Sequence, residues 1–230
     1  MSYEILKQEK THKIKGVLFD MDGIVLDTEI LYTRFWQEAA KELGYPMTRE
    51  QSLGMRSLNS EKSQQYLEEC FGPGIEYRTL REVRIRHMEA WIDEHGIAVK
   101  PGIYELLEYL HNKNIPCAIT SSSPLKRIEK YLSPLNLYDQ FNKICSGYEV
   151  AHGKPEPDIY LEGASCLHLD SSSCLALEDS SAGIESAFEA GCLPVIIPDL
   201  DQPDEKILSQ SFARSDSLLD IISLIEYLNS

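Results

Sequence analysis

The sequence predicts an α/β protein: a doubly wound parallel sheet with a helical sub-domain inserted after its first strand. Three observations lead there. Ile14–Phe19 is a short apolar, β-compatible run that stops at Asp20. Residues 30–95 carry apolar side chains at helical spacing, with no strand pattern among them. Beyond Pro101-Gly102, strand-like and helix-like segments alternate as far as residue 197, and such alternation implies parallel strands covered by helices. The chain therefore divides into a sheet-bearing core, residues 12–29 and 96–230, and a helical cap, residues 30–95.

Each element has its own warrant. In the cap, Leu31, Phe35, Ala39 and Leu43 recur four apart on one helical face. Ser60 followed by Glu61 suits a helix start, and Tyr66, Leu67, Cys70 and Phe71 give that helix an apolar side. A further helix is predicted over Thr79–Glu94, where Arg81, Arg84 and Arg86 read as a solvated face. After the Pro101-Gly102 break, Ile103, Leu106, Leu107 and Leu110 fall on one side of a helix, and Ile115–Thr120 reads as a strand. Ser123-Pro124 makes an N-cap and N1 pair for a helix with Leu125, Ile128 and Leu132 inward. Lys143–Cys145 is a short strand, Ile159–Cys166 a helix and Cys174–Leu177 a strand. The next helix turns Ile184, Ala187 and Phe188 one way and ends at Gly191, a C-terminal cap glycine. Leu193–Ile197 is the last clear strand, and a helix over about Ser217–Leu228 serves packing.

Composition excludes several function classes. The 230 residues suit one large domain, or a core with a smaller companion, at roughly 100–200 residues per domain. With 43 % hydrophobic and 26 % charged residues, the chain can bury a core. Its 37 acidic against 22 basic residues give a formal charge of −15, the opposite of a nucleic-acid footprint. No apolar run reaches the roughly 18–20 residues of a membrane span. The opening MSYEILKQEKTHKIKG has no apolar h-region and no small-residue cleavage site. A cytoplasmic monomer without nucleic-acid or membrane partners is the expectation. Cys70, Cys117, Cys145, Cys166, Cys174 and Cys192 are scattered, with no CxxC pair, and the histidines show no HExxH-type spacing. Cys117, Cys145, Cys174 and Cys192, in or beside apolar stretches, read as small buried hydrophobes, and a zinc enzyme is not expected.

In an open parallel sheet, ligands bind beyond the carboxyl ends of the strands. The predicted strands deliver Asp20 and Asp22, then Ser121 and Ser122, then Lys154, then Glu178 and Asp179 to that edge. Singly, each has an ordinary explanation. Asp22-Gly23 suits a turn, the serines a cap, Lys154 a solvated surface, and Asp179 a helix cap worth about 1 kcal/mol. Jointly they do not, because carboxylates gathered at one edge repel unless a cation or substrate joins them. Carboxylates without His or Cys select a hard, oxygen-ligated ion, Mg²⁺ rather than zinc. Mg²⁺ takes one or two carboxylates plus a substrate phosphate, which suits Asp20 and Asp179. Lys154 and hydroxyls such as Ser121 and Ser122 would hold the other phosphoryl oxygens. An aspartate can act as a covalent nucleophile, and Asp22, two residues past Asp20, is placed for general acid–base work. Phosphoryl transfer is the reaction this set implies.

The segments FDMDGIVLDTE (19–29), AITSSS (118–123), GKPEPDIY (153–160) and LEDSSAGIESAFEAG (177–191) closely resemble, in order, the four motifs of the haloacid dehalogenase-like hydrolase superfamily. The resemblance covers about residues 14–200, and the helical insertion resembles the cap of the β-phosphoglucomutase-like and small sugar-phosphate phosphatase branch. It implies a Rossmann-like core, Mg²⁺ as cofactor and an aspartyl-phosphate intermediate. Asp20 matches the nucleophile, and Asp22 the acid/base whose backbone carbonyl also reaches Mg²⁺. Ser121 matches the motif-two hydroxyl, in preference to Thr120, and Lys154 the motif-three lysine. Glu178 and Asp179 match the metal-site acids.

Departures narrow the activity. Dehalogenases of the superfamily lack the second motif-one aspartate, and Asp22 is present. β-Phosphoglucomutases carry a histidine where this chain has Tyr32, whereas sugar and polyol phosphatases often show the DTE seen at Asp27, Thr28 and Glu29. A phosphatase acting on a small phosphorylated metabolite, a sugar or polyol phosphate, is the expectation, with a phosphosugar mutase as the alternative. SLGMRS (52–57) resembles the cap loop that enters the cleft in relatives. Arg56 is the candidate for a substrate hydroxyl or second anionic group and Glu29 for a sugar hydroxyl, against the competing reading of an ordinary solvated arginine. Cap opening would admit substrate, and closure would exclude water.

Other readings fit less well. GYEVAHGK (147–154) has five residues between its glycines and Pro155 where a P-loop needs four and Ser or Thr. DMDG places its glycine too early for an EF-hand loop. A phosphorylation-switched receiver-like domain would be about half this length, with its acidic pair and phosphorylated Asp on different strands. A non-catalytic binding descendant is at odds with the intact motif residues.

Overall fold

The computed structural model describes residues 3–7, 13–56 and 58–230. His12 and Ser57, the last residue of SLGMRS, lie outside the described residues. The chain forms two compact units, residues 1–26 with 99–230, and residues 27–98.

The first unit is built on a seven-stranded sheet. In chain order it contains β1 (Tyr3–Ile5), β2 (Gly16–Phe19), β3 (Cys117–Ser121), β4 (Lys143–Ser146), β5 (Cys174–Glu178), β6 (Leu193–Ile196) and β7 (Ala213–Ser215). The spatial order is β1-β7-β6-β5-β2-β3-β4. Every pairing is parallel except β1 with β7. From β2 the chain steps outward to β3 and β4, then returns to β5 on the other side of β2 and continues to β6 and β7. That reversal is the doubly wound topology, and it puts the switch point between β2 and β5. The central strands are apolar up to their carboxyl ends: Val17, Leu18, Phe19, Ala118, Ile119, Leu175, Ala176 and Leu177 are fully buried. A strand buried on both faces needs such a continuous run rather than an alternation.

Among the described residues, the α-helices of this unit are α5 (Ile103–Asn112), α6 (Leu125–Leu132), α7 (Asp158–Cys166), α8 (Ser181–Glu189), α9 (Glu205–Gln210) and α10 (Leu218–Asn229). α7 packs on β2, β3 and β4, and α8 on β5 and β6. Gly163 lets α7 approach closely, because a Cβ there would come 2.6 Å from Thr120 Cγ2.

The second unit comprises α1 (Glu29–Glu42), α2 (Arg49–Leu53), α3 (Ser60–Phe71) and α4 (Tyr77–His95). α1 packs along α4, and the core gathers Trp36, Ala39, Ala40, Met47, Met55, Leu67, Ile75 and Leu80. α2 starts on a capping box, in which the Thr48 hydroxyl accepts from Gln51 N while the Gln51 side chain accepts from Thr48 N.

Three sequence expectations are corrected. Arg84 is buried, not solvated: its guanidinium lies 4.7 Å from the Tyr32 ring centroid and 4.9 Å from that of Trp36. Two aromatic faces replace water around a weakly hydrated, planar cation. Phe188 is exposed, unlike Ile184 and Ala187, and Lys7 Nζ sits 4.4 Å from its ring centroid. Ser123 does not cap α6, whose N-cap position is Pro124, because its hydroxyl is engaged with Asp22 instead. Among the described residues, no helix is long and apolar enough to cross a membrane.

Candidate active site

Asp20 comes directly after β2, and its N–H donates to Leu177 O on β5 (3.0 Å). The chain then doubles back, with Val25 N and Leu26 N both donating to Met21 O (3.0 and 2.9 Å) and Gly23 N to Leu26 O (2.9 Å). Gly23 has φ of +86°, and a Cβ there would overlap the Asp179 carboxylate. The glycine of DMDG thus serves both a left-handed turn and the close approach of the β2 loop to the end of β5.

Four elements meet here. Lys154, on the loop before α7, has its side chain only 6 % exposed and donates from Nζ to Asp20 Oδ1 (2.5 Å) and Glu178 Oε1 (2.6 Å). Glu178, the last residue of β5, is fully buried. Its Oε1 also accepts from the Tyr160 hydroxyl (2.5 Å), and its Oε2 from Ser180 Oγ (3.0 Å) and Ser180 N (3.4 Å). Ser180 in turn caps α8 by accepting from Gly183 N (3.1 Å). A Cβ on Gly183 would fall inside the Glu178 carboxylate, so this glycine lets the acid sit against the positive N-terminal turn of α8.

On the other side, the Ser121 hydroxyl accepts from Ser123 N (3.1 Å), and Ser146 Oγ donates to Ser123 O (2.8 Å). Ser123 Oγ lies 3.5 Å from Asp22 Oδ2, so the third serine of SSS faces the predicted acid/base. Ser122 is exposed, and Thr120 Oγ1 donates back to Phe19 O (3.2 Å) within the sheet. Glu29 and Arg56 belong to the helical unit, where Arg56 Nε and Glu29 Oε2 are 2.7 Å apart and both side chains are mostly buried.

The electrostatics follow from one ammonium shared by two buried carboxylates. Burial pushes the Asp20 carboxyl well above the usual carboxylate range; Lys154 pulls it down, while Glu178 and Asp22 push it further up. Burial works against the Lys154 charge, but Asp20 and Glu178 outweigh it and hold the ammonium protonated, above its ordinary range. Burial, then the nearby Glu178 and Asp20 charges, also raise the Tyr160 phenol, which stays a donor. Asp20, Glu178 and Asp179 each offer an oxygen within 4.8 Å of the others, a set that could hold a metal ion.

Asp20, Lys154, Glu178 and Asp179 are thus brought together, Asp22 is met by Ser123, Ser121 is buried against the Ser123 backbone, and the predicted Ser122 is exposed. Sequence reasoning missed Tyr160, Ser123, Ser180 and Gly183. Tyr160 carried a usable signal: a Tyr beside Ile159 on the inner face of a core helix buries a hydroxyl that must find a partner.

The haloacid dehalogenase-like hydrolase family matches residues 17–197, well over half of the chain, and the chain belongs to that family of enzymes. Among its relatives is hexitol phosphatase A of Escherichia coli K12, 31 % identical over 201 residues that span 84 % of this chain and 89 % of that protein. The β-phosphoglucomutase of Bacillus subtilis 168 is 30 % identical over 188 residues, 79 % of this chain and 82 % of the other. In fold, the chain is similar to the crystal structure of β-phosphoglucomutase from Clostridium difficile, with a TM-score of 0.74 at 24 % identity over 94 % of this chain and 97 % of that one.

Proposed function

We propose that this enzyme is a Mg²⁺-dependent phosphatase that hydrolyses a small phosphorylated metabolite, a sugar or polyol phosphate, through an aspartyl-phosphate on Asp20. The observation that carries the reading is Asp20 at the switch-point edge of the sheet, bonded to Lys154 and flanked by Glu178 and Asp179. The donor set fits a hard divalent cation: three carboxylates, no His or Cys, and a single ammonium, which is too little to balance the negative charge. Mg²⁺ held by Asp20, Glu178, Asp179 and the Asp22 carbonyl would supply charge that offsets the meeting of two anions, carboxylate and phosphoryl group.

The residues then act in turn. A carboxylate oxygen of Asp20 attacks phosphorus, and the ester P–O bond breaks. Asp22 protonates the departing oxygen, then takes a proton from the water that attacks the aspartyl-phosphate. The P–O bond to Asp20 breaks, inorganic phosphate leaves and Asp20 is restored. Lys154, Ser121 and Ser122 hold phosphoryl oxygens, and Ser123 orients Asp22. Glu29 and Arg56 are assigned to the rest of the substrate on their sequence motif. The enzyme is proposed to work as a cytoplasmic monomer, with no nucleic-acid or membrane partner.

A phosphosugar mutase is the second reading, favoured by the 30 % identity to β-phosphoglucomutase. The same Asp20 would then pass its phosphoryl group to a sugar hydroxyl instead of water. Phosphate release across sugar, polyol and nucleoside phosphates, with Mg²⁺ or EDTA, separates the two. Mg²⁺-dependent release is expected; conversion of β-glucose 1-phosphate to glucose 6-phosphate without net release would install the mutase.

A further inference from the structure

We propose that Tyr160 is a positioning residue for the metal site, its hydroxyl fixing the carboxylate of Glu178 in the orientation that receives the cation. This rests on the metal-dependent reading above and adds to it a residue outside the set Asp20, Asp22, Lys154, Glu178 and Asp179. Glu178 Oε1 accepts two hydrogen bonds, from Tyr160 Oη at 2.5 Å and Lys154 Nζ at 2.6 Å, while Oε2 is served by Ser180. The two donors to Oε1 differ in kind. Lys154 is a flexible four-carbon stem whose ammonium is shared with Asp20. Tyr160 is fully buried, its ring packed in the cluster with Leu18, Ala118, Ile159 and Ala176, so its oxygen has a fixed place.

That place is set by the fold. Gly163, one turn along α7, brings the helix against Thr120 of β3 and Leu18 of β2, so that the first-turn Tyr160 reaches beneath the end of β5. When substrate phosphate or a cation draws on Lys154 and Asp20, the phenol is the donor to Oε1 that need not move. Outer donors of this kind orient ligating carboxylates, and their loss typically costs 10–100-fold in metal affinity.

The test is Tyr160→Phe, which keeps the ring and removes only the hydroxyl. Mn²⁺ binding to wild type and variant, followed by the loss of the free-ion electron paramagnetic resonance signal, reads metal affinity without turnover. Phosphate release against Mg²⁺ concentration supplies the second readout. We expect the variant to bind Mn²⁺ 10–100-fold more weakly and to need correspondingly more Mg²⁺ for half-maximal rate. Its KM for substrate at saturating Mg²⁺ should be unchanged. Mn²⁺ affinity within twofold of wild type would overturn the assignment. So would a variant that is unfolded by circular dichroism, which would make the phenol a folding group. Wild type that binds no Mn²⁺ while still releasing phosphate in EDTA would instead overturn the metal reading, and this inference with it.

Discussion

Replacing Gly183 with alanine sets two effects against each other, and their sizes decide the outcome. In a helix, alanine is better than glycine by about 0.8–1 kcal/mol, and Gly183 lies in α8, so local propensity predicts a gain. The new methyl, however, would occupy the space of the Glu178 carboxylate, well inside the 3.0 Å that real Cβ atoms keep. Glu178 cannot yield cheaply, because it is fully buried and held by Lys154, Tyr160 and Ser180. Hydrogen bonds to a charged group contribute about 1.5–3 kcal/mol each. Losing two of them would cost about 3–6 kcal/mol, a net destabilisation of roughly 2–5 kcal/mol after the helical gain. For a chain of this size that is a fall of roughly 4–20 °C in Tm, at about 2–4 °C per kcal/mol. The assay is thermal unfolding of Gly183→Ala beside Gly153→Ala, a site where a Cβ meets nothing within 4 Å. Gly153→Ala should be neutral or slightly stabilising. A Gly183→Ala protein as stable as wild type would refute the picture of Glu178 wedged against α8.

Other expectations come from burial. Arg84→Ala should destabilise the helical unit by about 2–4 kcal/mol in denaturant unfolding, because it empties the space between Tyr32 and Trp36. Arg86→Ala, which removes an exposed ion pair with Glu42, should leave the unfolding midpoint close to that of wild type; equal effects would contradict the burial assignment. Burial pushes the thiols of Cys117 and Cys145 up to about 12 and that of Cys174 up to about 11, and raises Cys192 as well. A raised thiol pKa means less thiolate at a given pH. At pH 8 a thiol of pKa 12 is about 10⁻⁴ ionised, against about a quarter for an ordinary thiol. Native protein should therefore label Cys70 fastest, with half-buried Cys166, whose thiol is raised by burial and by its contact with Glu162, slower, and the four buried thiols reacting only after denaturation. Fast labelling of any of those four in the folded protein would count against that packing.

Much of the sheet unit was legible because its strands are buried on both faces and leave unbroken apolar runs such as Val17–Phe19 and Cys174–Leu177. Strands β1 and β7 have three residues each and lie side by side at one end of the sheet, too short for any pattern to register. α2 and α9, of five and six residues, fail for the same reason. Arg84 was misread because charge patterning assumes that a cation seeks water, and only the structure shows two rings taking its place. Asp20, Glu178 and Asp179 were legible because strand ends can be located from apolar runs and the polar residues there converge, whereas Lys154, eight residues past the end of β4, was legible through its motif GKPEPDIY. The donors behind them were not. Tyr160 and Ser180 act through the angle of α7 and the cap of α8, and that geometry belongs to packing rather than to spacing.

The most direct test of the account is to look for the covalent phosphoryl group. Enzyme mixed with its best substrate from the phosphate-release panel is quenched in acid within the first turnovers, digested, and the phosphorylated peptide sequenced by mass spectrometry. The account predicts phosphate on Asp20, in the segment FDMDG, and no adduct or turnover in Asp20→Asn. Phosphate on another residue, or turnover that survives Asp20→Asn, would contradict it.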